Sequence, residues 1–381
     1  MGLTVLGSTG SIGRQTLAVA RALGMEITAL TAHSNMKLLE EQARQYKPAA
    51  VAVAKEAAAK ALRLALADTG VRVLAGAAGV ESCAAMPADC VLNALVGVAG
   101  LPATLAALRA GNRLALANKE SLVAGGALVT KTASEMKTPV LPVDSEHSAI
   151  YQAMQGCADL RSIRRMILTA SGGTFFGKTA AELANATVEQ ALCHPNWHMG
   201  AKITVDCATM MNKGFEIIEA VWLFGITEDR VDVLVHRQSV VHSMLEYVDG
   251  AVLAQLGAAD MRLPIQYALT YPQRLPCPAE RLDWAKWGTL TFEPPDDATF
   301  PALALCRTAV RRGGLASAAL NGANETANLL FREGKIRFPQ ITELAAGAME
   351  TAAPGQADSL GSILAADAAA REYVYTSVGR S

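Results

Sequence analysis

The chain has 381 residues, of which 51% are hydrophobic and 5% aromatic, and its formal net charge is −1. This length predicts two or three domains rather than one ordinary core, and the apolar content excludes a disordered chain. The balanced charge excludes a global field that would attract nucleic acid or an acidic membrane, and no apolar run is long enough to cross a bilayer.

The cysteine pattern and the first residues bear on the compartment. Seven cysteines are scattered without a CxxC pair, which favours neither a disulfide framework nor a structural zinc site. The first predicted strand begins almost at Met1, so we expect no signal or transit peptide. Leu6 stands where a myristoylation motif needs Ser or Thr. We therefore expect a soluble protein in a reducing cytoplasm.

Residues 1–143 alternate short β-rich runs with Ala-rich helical runs. Such alternation predicts βαβ units and a parallel sheet, so we expect an N-terminal Rossmann-type domain of the α/β class. The predicted strands are Leu3–Leu6, Glu26–Leu30, Ala50–Val53, Val71–Leu74, Val91–Leu95, Arg113–Leu116 and Val140–Val143. Helices predicted between them include Gln15–Ala22, Leu38–Tyr46 and Pro102–Ala110.

A glycine motif, GSTGSIG at residues 7–13, directly follows the first predicted strand and opens a helix. Glycines at this spacing allow a tight turn and a close approach to a pyrophosphate at the helix N-terminus, although an ordinary βα turn is the alternative. The second strand is followed by His33, Ser34 and Asn35, with no carboxylate for a ribose 2′-hydroxyl. This favours NADP over NAD.

Two polar motifs follow later strands of the same predicted sheet. ANKES at residues 117–121 is either a helix N-cap or a ligand site with Lys119 at the carboxyl edge of the sheet. Asp144 and Glu146 follow the last strand with Ser145 between them. Two carboxylates at this spacing suit Mg²⁺ or Mn²⁺, and a solvated loop with an N-cap is the alternative.

Residues 144–270 predict a central α+β catalytic domain. Its TASGGT motif at residues 169–174 offers hydroxyls and flexible backbone donors, which suits an anion nest or a plain turn. The predicted strands are Ser162–Thr169, Val231–Val235, Ser243–Tyr247 and Val252–Leu256, and the main predicted helix is Met210–Phe224.

One face of that helix carries Asn212, Lys213 and Glu216, which are spaced three and four residues apart. An amide, a cation and a carboxylate on one face could hold a phosphate and a metal together. A surface salt bridge between Lys213 and Glu216 is the alternative.

Residues 193–201 predict a mobile lid, because an exposed Trp197 stands between Pro and Gly. The i,i+4 spacing of His194 and His198 could suggest zinc, but Pro195 argues against the helix that this spacing needs.

The C-terminal part predicts a linker and a small all-α domain. Residues 271–297 are rich in Pro and Trp and predict the linker, and residues 298–381 predict the helical domain. Its predicted helices are Phe300–Arg312, Ser317–Arg332, Phe338–Thr351 and Ser359–Tyr373.

The chain strongly resembles the 1-deoxy-D-xylulose 5-phosphate reductoisomerase family over almost its whole length. The resemblance lies in the order of the motifs GSTGSIG, ANKES, PVDSEHSA, LTASGG, HPNWHMG, DCATMMNKGFEIIEA, QSVVHSMLEY, VLAQLGAADMRLPI and LNGANE. It implies an NADPH- and divalent-metal-dependent homodimer that rearranges and reduces 1-deoxy-D-xylulose 5-phosphate. The product would be 2-C-methyl-D-erythritol 4-phosphate, in the non-mevalonate route to isoprenoids.

The resemblance also implies roles for individual residues. The metal would be held by Asp144, Glu146 and Glu216. The reacting end would be lined by Lys119, Ser145, Glu146 and His194, with Lys119, Glu146 and His194 catalytic. The phosphate would be bound by Ser171, Cys207, Asn212 and Lys213. NADPH would be contacted by Thr9, Gly10, Ser11, Ile12, Ser34, Asn35, Asn118, Glu120 and Gly200.

Three positions depart from the family pattern. Cys207 stands where the pattern has Ser, Arg237 where it has Pro within HPQS, and His33 where it has Gly. A thiol is a weaker donor than a hydroxyl, so the first departure bears on phosphate affinity.

Two other function classes remain open on the residues alone. A semialdehyde-type NADP dehydrogenase would need a nucleophilic thiol, for which Cys207 is the candidate. A non-catalytic NADP-binding regulator would need no carboxylate set.

Overall fold

The structure, a computed structural model, describes residues 1–197 and 199–379. These residues form two compact units. The first unit comprises residues 1–121, 129–148 and 260–280, and the second comprises residues 122–128, 149–197, 199–259 and 281–379. The domain boundaries at residues 143, 270 and 297 stay a prediction. His198, which entered the zinc argument, lies outside the described residues.

The first unit is built on a seven-stranded sheet. Its strands are β1 (Gly2–Leu6), β2 (Glu26–Ala32), β3 (Ala50–Val53), β4 (Arg72–Ala75), β5 (Cys90–Asn93), β6 (Arg113–Leu116) and β7 (Val140–Pro142). All pairs are parallel, in the order β4-β3-β2-β1-β5-β6-β7. The runs AVAV of β3 and CVLN of β5 are buried throughout, as expected for strands covered on both faces. The predicted parallel sheet is confirmed.

Helices alternate with these strands. They are α1 (Ser11–Ala22), α2 (Met36–Tyr46), α3 (Glu56–Ala65), α4 (Gly76–Ala84), α5 (Gly100–Arg109), α6 (Lys119–Glu135) and α7 (Ser145–Ala153). The strand order reverses between β1 and β5, so the turn that follows β1 opens at a topological switch point. The loops after β6 and β7 open at the same carboxyl edge of the sheet.

The second unit contains a four-stranded mixed sheet. Its strands are β8 (Ile163–Ala170), β9 (Val231–Val235), β10 (Val241–Tyr247) and β11 (Val252–Leu256). In the order β11-β10-β8-β9, β8 pairs with β9 in parallel and β10 is antiparallel to both neighbours. The predicted α+β character of the middle of the chain is confirmed.

The remaining helices are α8 (Ala180–Leu183), α9 (Val188–Ala191), α10 (Ala201–Ala208), α11 (Met211–Phe224), α12 (Arg262–Thr270), α13 (Ala302–Arg312), α14 (Ala316–Arg332), α15 (Gln340–Thr351) and α16 (Leu360–Gly379). The core of the second unit is contiguous from β8 through α11 to the C-terminal helices, and Phe215 of α11 is fully buried in it. Among the described residues, no helix combines the length and the apolar composition needed to span a bilayer.

Candidate functional site

The turn after β1 forms a close-packed cradle at the N-terminus of α1. A Cβ added to Gly7, whose φ is +80°, would lie 2.7 Å from the carbonyl oxygen of Ala94. A Cβ on Gly13 would lie 2.3 Å from the carbonyl oxygen of Gly7. The N-cap of α1 is Gly10, which offers no side-chain cap. The first amides of α1 are therefore suited to an anionic ligand.

A buried pair that the sequence did not single out fixes this turn to α2. Ser8 Oγ donates to Gln42 Oε1 at 2.7 Å, and Gln42 Nε2 donates to the Ser8 carbonyl at 3.0 Å. Gln42 lies on the buried face of α2 beside Leu39 and Ala43. A glutamine among the apolar positions of an amphipathic helix is the signal that could have identified it.

The segment between β2 and α2 is exposed and carries no carboxylate. Ser34 and Asn35 are both exposed, and Asn35 Oδ1 accepts from the backbone N–H of Leu38 at 3.2 Å as the N-cap of α2. The side-chain oxygen of Asn35 is thus used by the helix cap, which leaves the exposed side-chain NH₂ group available as a donor.

The ANKES motif begins α6 at the carboxyl edge of the parallel sheet. Asn118 is the N-cap, because its Oδ1 accepts from the backbone N–H and the hydroxyl of Ser121. Its Nδ2 donates to the Leu95 carbonyl and to Glu120 Oε2, both at 2.9 Å. The N-cap interpretation is confirmed, and it coexists with the buried Lys119 at this edge.

The acidic motif after β7 begins α7. Asp144 Oδ1 accepts from the backbone N–H groups of Glu146 and His147 at 3.2 and 3.4 Å. Asp144 Oδ2 accepts from Lys119 Nζ at 2.8 Å. Ligand oxygens of Asp144 and Glu146 lie within 4.8 Å of each other, and Ser145 Oγ donates to Glu146 Oε2. The motif is therefore both a helix cap and a pair of oxygen ligands close enough to share one cation.

His147 is a further member of this group that sequence reasoning missed. Its ring is fully buried, and Nδ1 lies 3.4 Å from Asp144 Oδ1. Its place three residues after Asp144, at the start of a helix, is the signal that could have been used. The backbone N–H of the same residue donates to Asp144 Oδ1, which contributes to fixing the orientation of that carboxylate.

In the second unit, the TASGGT segment forms a turn with two successive left-handed residues. Gly172 and Gly173 have φ values of +76° and +66°. A Cβ on Gly173 would lie 2.4 Å from the carbonyl oxygen of Cys207 in α10. A turn of this kind can present hydroxyl and backbone N–H groups to an anion, and within it the N–H of Gly173 donates to Ser171 Oγ at 3.2 Å.

His194 donates to Ser171 in this turn. The backbone N–H groups of Asn196 and Trp197 donate to His194 Nδ1 at 3.2 and 2.9 Å, so Nδ1 is an acceptor. The hydrogen-bond network therefore assigns the proton of the neutral ring to Nε2, which lies 2.9 Å from Ser171 Oγ. Burial, followed by repulsion from Arg237, lowers the pKa of His194 to about 4.

The face of α11 carries a buried polar cluster. Lys213 Nζ forms an ion pair with Glu216 Oε2, and Asn212 Nδ2 donates to Glu216 Oε1 at 2.7 Å. The side chains of Lys213 and Glu216 are 5% and 1% exposed, so the interpretation as a surface salt bridge is wrong. Asn212 Oδ1 is buried without a hydrogen-bond partner among the described residues, and a ligand hydroxyl or water would satisfy it.

Trp197 is half-buried, not exposed as predicted. Its ring centroid lies 6.4 Å from that of His242, with the planes tilted by 50°. The flanking Pro and Gly suggested an exposed side chain, but the indole lies beside the His242 ring and is partly covered. The lid stays a prediction.

A glycine cradle and an acidic pair on one edge of a parallel sheet define a dinucleotide-binding α/β protein with a candidate divalent-cation site. Family models match the chain along most of its length. They are 1-deoxy-D-xylulose 5-phosphate reductoisomerase at residues 3–126, its C-terminal domain at residues 140–224, and DXP reductoisomerase C-terminal domain at residues 256–373. The chain belongs to the 1-deoxy-D-xylulose 5-phosphate reductoisomerase family.

Relatives and solved structures agree with this membership. A protein of this name from Caulobacter vibrioides is 52% identical over 97% of this chain and 92% of its own. One from Agathobacter rectalis is 48% identical over 98% of both chains. The structure from Zymomonas mobilis in complex with NADPH has a TM-score of 0.92 and 43% identity, covering 99% of this chain and 98% of its own. A DOX-P reductoisomerase in complex with NADPH, fosmidomycin and magnesium has a TM-score of 0.95 and 40% identity, covering 100% and 98%.

Proposed function

We propose that this protein converts 1-deoxy-D-xylulose 5-phosphate to 2-C-methyl-D-erythritol 4-phosphate with NADPH and Mg²⁺ or Mn²⁺. One observation carries the proposal beyond family membership. The glycine cradle after β1, Lys119 after β6 and the acidic pair after β7 all open at the carboxyl edge of one parallel sheet. Ligands of such sheets bind at this edge, so a hydride donor and a cation would share it.

NADPH fits the cradle because the backbone there leaves no room for a side chain at Gly7 or Gly13. Ser34 and the NH₂ group of Asn35 would donate to the 2′-phosphate, since no carboxylate follows β2 to repel it. Asn118 and Glu120 are buried and bonded to each other, so they would shape the pocket wall. The proposed contacts are Thr9, Gly10, Ser11, Ile12, Ser34, Asn35, Asn118, Glu120 and Gly200. When bound, NADPH supplies the hydride for the reductive step.

A hard divalent cation fits the carboxylates proposed to hold it, Asp144, Glu146 and Glu216. Carboxylate oxygens are the donors that Mg²⁺ and Mn²⁺ prefer. In the described residues, ammonium groups pair with two of these carboxylates, Lys119 with Asp144 and Lys213 with Glu216. Each of these two carboxylates therefore already accepts a positive charge beside it. When bound, the cation acts as a Lewis acid on two neighbouring substrate oxygens.

The reacting end would be formed by Lys119, Ser145, Glu146 and His194. Lys119 orients Asp144 through their ion pair and can donate to a substrate oxygen. Ser145 donates to Glu146, which keeps that carboxylate turned toward its own loop. His194 is held neutral, so it keeps a proton on Nε2 for Ser171.

The phosphate would be bound by Ser171, Cys207, Asn212 and Lys213. Ser171 Oγ accepts from His194 Nε2 and, at 3.2 Å, from the backbone N–H of Gly173. With both acceptor sites of the oxygen used, the hydroxyl proton of Ser171 is directed to a further acceptor such as a phosphate oxygen. Lys213 supplies the charge that a dianion needs.

NADPH oxidation in the presence of 1-deoxy-D-xylulose 5-phosphate tests the proposal. Absorbance at the nicotinamide band should fall with Mn²⁺ or Mg²⁺ present and stay constant after EDTA treatment, and NADPH should give a higher kcat/KM than NADH. Family membership does not favour a thiol-dependent semialdehyde dehydrogenase. That enzyme would keep its activity after EDTA treatment, whereas the proposed reductoisomerase would lose it, so the EDTA arm of the same assay distinguishes the two.

Three finer expectations accompany the proposal. We propose that the protein is a homodimer, that it works in the cytoplasm, and that its product serves isoprenoid precursor synthesis. Light scattering on the purified protein measures the first directly. A monomer that turns over at full rate would contradict it.

A further inference from the structure

Arg237 is a residue that the family pattern does not explain, because that pattern has Pro at this position. The guanidinium of Arg237 contacts the proposed phosphate turn. Its Nη1 donates to the carbonyl oxygens of Ser171 and Gly173, both at 2.8 Å. A proline at this position would have no side-chain donor for either contact.

Packing around Arg237 holds the guanidinium in place. Its Cζ lies 5.0 Å from the centroid of the Phe176 ring, and the side chain is half-buried. On the backbone side, Asn196 Nδ2 donates to the Arg237 carbonyl at 2.6 Å and to Ser239 Oγ at 2.9 Å. Asn196 also donates its backbone N–H to His194, so Arg237 and His194 are anchored by the same residue.

The contact has an electrostatic consequence for the turn. A guanidinium that binds the Ser171 and Gly173 carbonyls fixes the orientation of those peptide groups. It also neutralises the negative ends of their dipoles, which would otherwise oppose an anion close by. The positive charge reaches the pocket, because Arg237 contributes to lowering the pKa of His194.

We propose that Arg237 is a positioning residue for the substrate phosphate, which holds the turn at residues 171–173 in its anion-binding conformation and adds positive charge beside it. This inference rests on the proposed function. The same turn packs closely on the backbone carbonyl of Cys207 in α10.

Steady-state kinetics of Arg237→Met test the proposal. The KM for 1-deoxy-D-xylulose 5-phosphate should rise by about fivefold to tenfold, which corresponds to about 1–1.4 kcal/mol. The kcat and the KM for NADPH should stay within about twofold, because phosphate binding is largely uniform between ground and transition states. Arg237→Lys, which keeps the charge, should recover part of the loss.

Arg274→Met is the matched control. Arg274 also lies over an aromatic ring, with its Cζ 4.7 Å from the Tyr267 centroid, but it belongs to the first unit and to no proposed pocket. This variant should leave all three constants unchanged. An equal rise of substrate KM in Arg274→Met would overturn the proposal, because loss of a stacked arginine anywhere would then suffice.

Binding of inorganic phosphate tests the role of Arg237 independently of the proposed function. Its dissociation constant, measured by calorimetry on wild type and on Arg237→Met, should rise by a similar factor in the variant. If wild type bound phosphate but did not convert the substrate, the proposed function would fail while this comparison still tested Arg237.

If Arg237→Met does not fold, the same measurements are made on Arg237→Pro, which introduces the residue of the family pattern. Unchanged phosphate affinity and substrate KM, or a loss confined to kcat, would overturn the role given to Arg237.

Discussion

His194 illustrates how a single buried side chain sets a pH limit. The folded protein keeps its imidazole neutral until about pH 4, because burial and then Arg237 oppose the charged form. The unfolded chain binds this proton near the ordinary value of about 6.5. Above pH 6.5, His194 is neutral in both states and does not lower the free energy of unfolding. As the pH falls from 6.5 toward 4, the unfolded chain takes up this proton and the free energy of unfolding decreases progressively.

NMR titration of the ring protons checks this prediction. The His194 signal, identified by its loss in His194→Gln, should not shift between pH 8 and pH 5. A midpoint near 6.5 in the folded protein would contradict the lowered pKa and the burial that causes it.

Glu216→Gln is expected to remove nearly all turnover, since Gln offers no charge to a cation. NADPH should still bind, because the glycine cradle belongs to the other unit. The substitution also leaves Lys213 buried without its carboxylate, at a cost of roughly 3–5 kcal/mol. Melting temperature and NADPH fluorescence titration must therefore accompany the rate measurement.

Glu325→Gln is the control, because Glu325 is also paired with a basic residue, Arg371, which itself pairs with Asp367 as well. Normal turnover in a folded Glu216→Gln would exclude this residue as a metal ligand.

Cys207→Ser should strengthen phosphate binding. A hydrogen bond to a charged partner is worth about 1.5–3 kcal/mol, and a thiol donates weakly. We expect a gain of about 1 kcal/mol, or roughly fivefold in substrate KM, with little change in kcat. A collapse of kcat in this variant would instead identify Cys207 as a nucleophile and revive the semialdehyde dehydrogenase.

At the scale of elements, the parallel sheet was the most predictable part of the fold. The sequence predicted the positions of β1 to β7 to within two residues, because buried β-rich runs alternate with Ala-rich ones. The start of α6 was predicted as a helix N-cap at ANKES, and the structure confirms it. For α7 the acidic motif suggested either a metal site or a solvated loop with an N-cap, and the helix itself was not predicted. α6 also contains Gly125 with non-helical dihedrals, and a Cβ on Gly126 would lie 2.2 Å from the Trp222 ring. That packing requirement comes from a residue far away along the chain, so no pattern in the neighbouring sequence predicts it.

The sequence predicted the motifs that form the candidate site, but it did not predict the hydrogen bonds and ion pairs between them. The i,i+3 and i,i+4 spacings gave the shared face of Asn212, Lys213 and Glu216, but burial of that ion pair depends on the helices that follow it. The pairing of Ser8 with Gln42 joins residues 34 positions apart, and Arg237 reaches Ser171 across 66. Such contacts require the folded chain, which is why the sequence alone assigned them no role.

The glycine turn between β1 and α1 can be tested as part of the NADPH site. Gly13→Ala would bring a Cβ to 2.3 Å from the Gly7 carbonyl and 2.5 Å from Ser8 Cα, so the cradle must open. We expect NADPH affinity to fall by at least about tenfold, or about 1.4 kcal/mol. Gly361→Ala is the matched control, because a Cβ there meets nothing within 4 Å and lies inside α16. NADPH fluorescence titration measures both, and equal affinity in Gly13→Ala and wild type would remove the cradle from the cofactor site.

At the scale of the whole molecule, the proposed phosphate and cation sites should act together on one inhibitor. A compound that joins a phosphonate to a hydroxamate would offer the first group to Ser171, Asn212 and Lys213. Its second group would offer two neighbouring oxygens to the cation. A ligand present at 100 times its dissociation constant stabilises the folded state by about 2.7 kcal/mol. We therefore expect a rise in melting temperature with the compound and Mn²⁺ together, and a much smaller one in EDTA. An alkyl phosphonate without the hydroxamate is the control and should give the same small rise in both conditions. If the full compound stabilised the protein equally in EDTA, the cation could not be one of its binding partners, and the assignment of Asp144, Glu146 and Glu216 would fall with it.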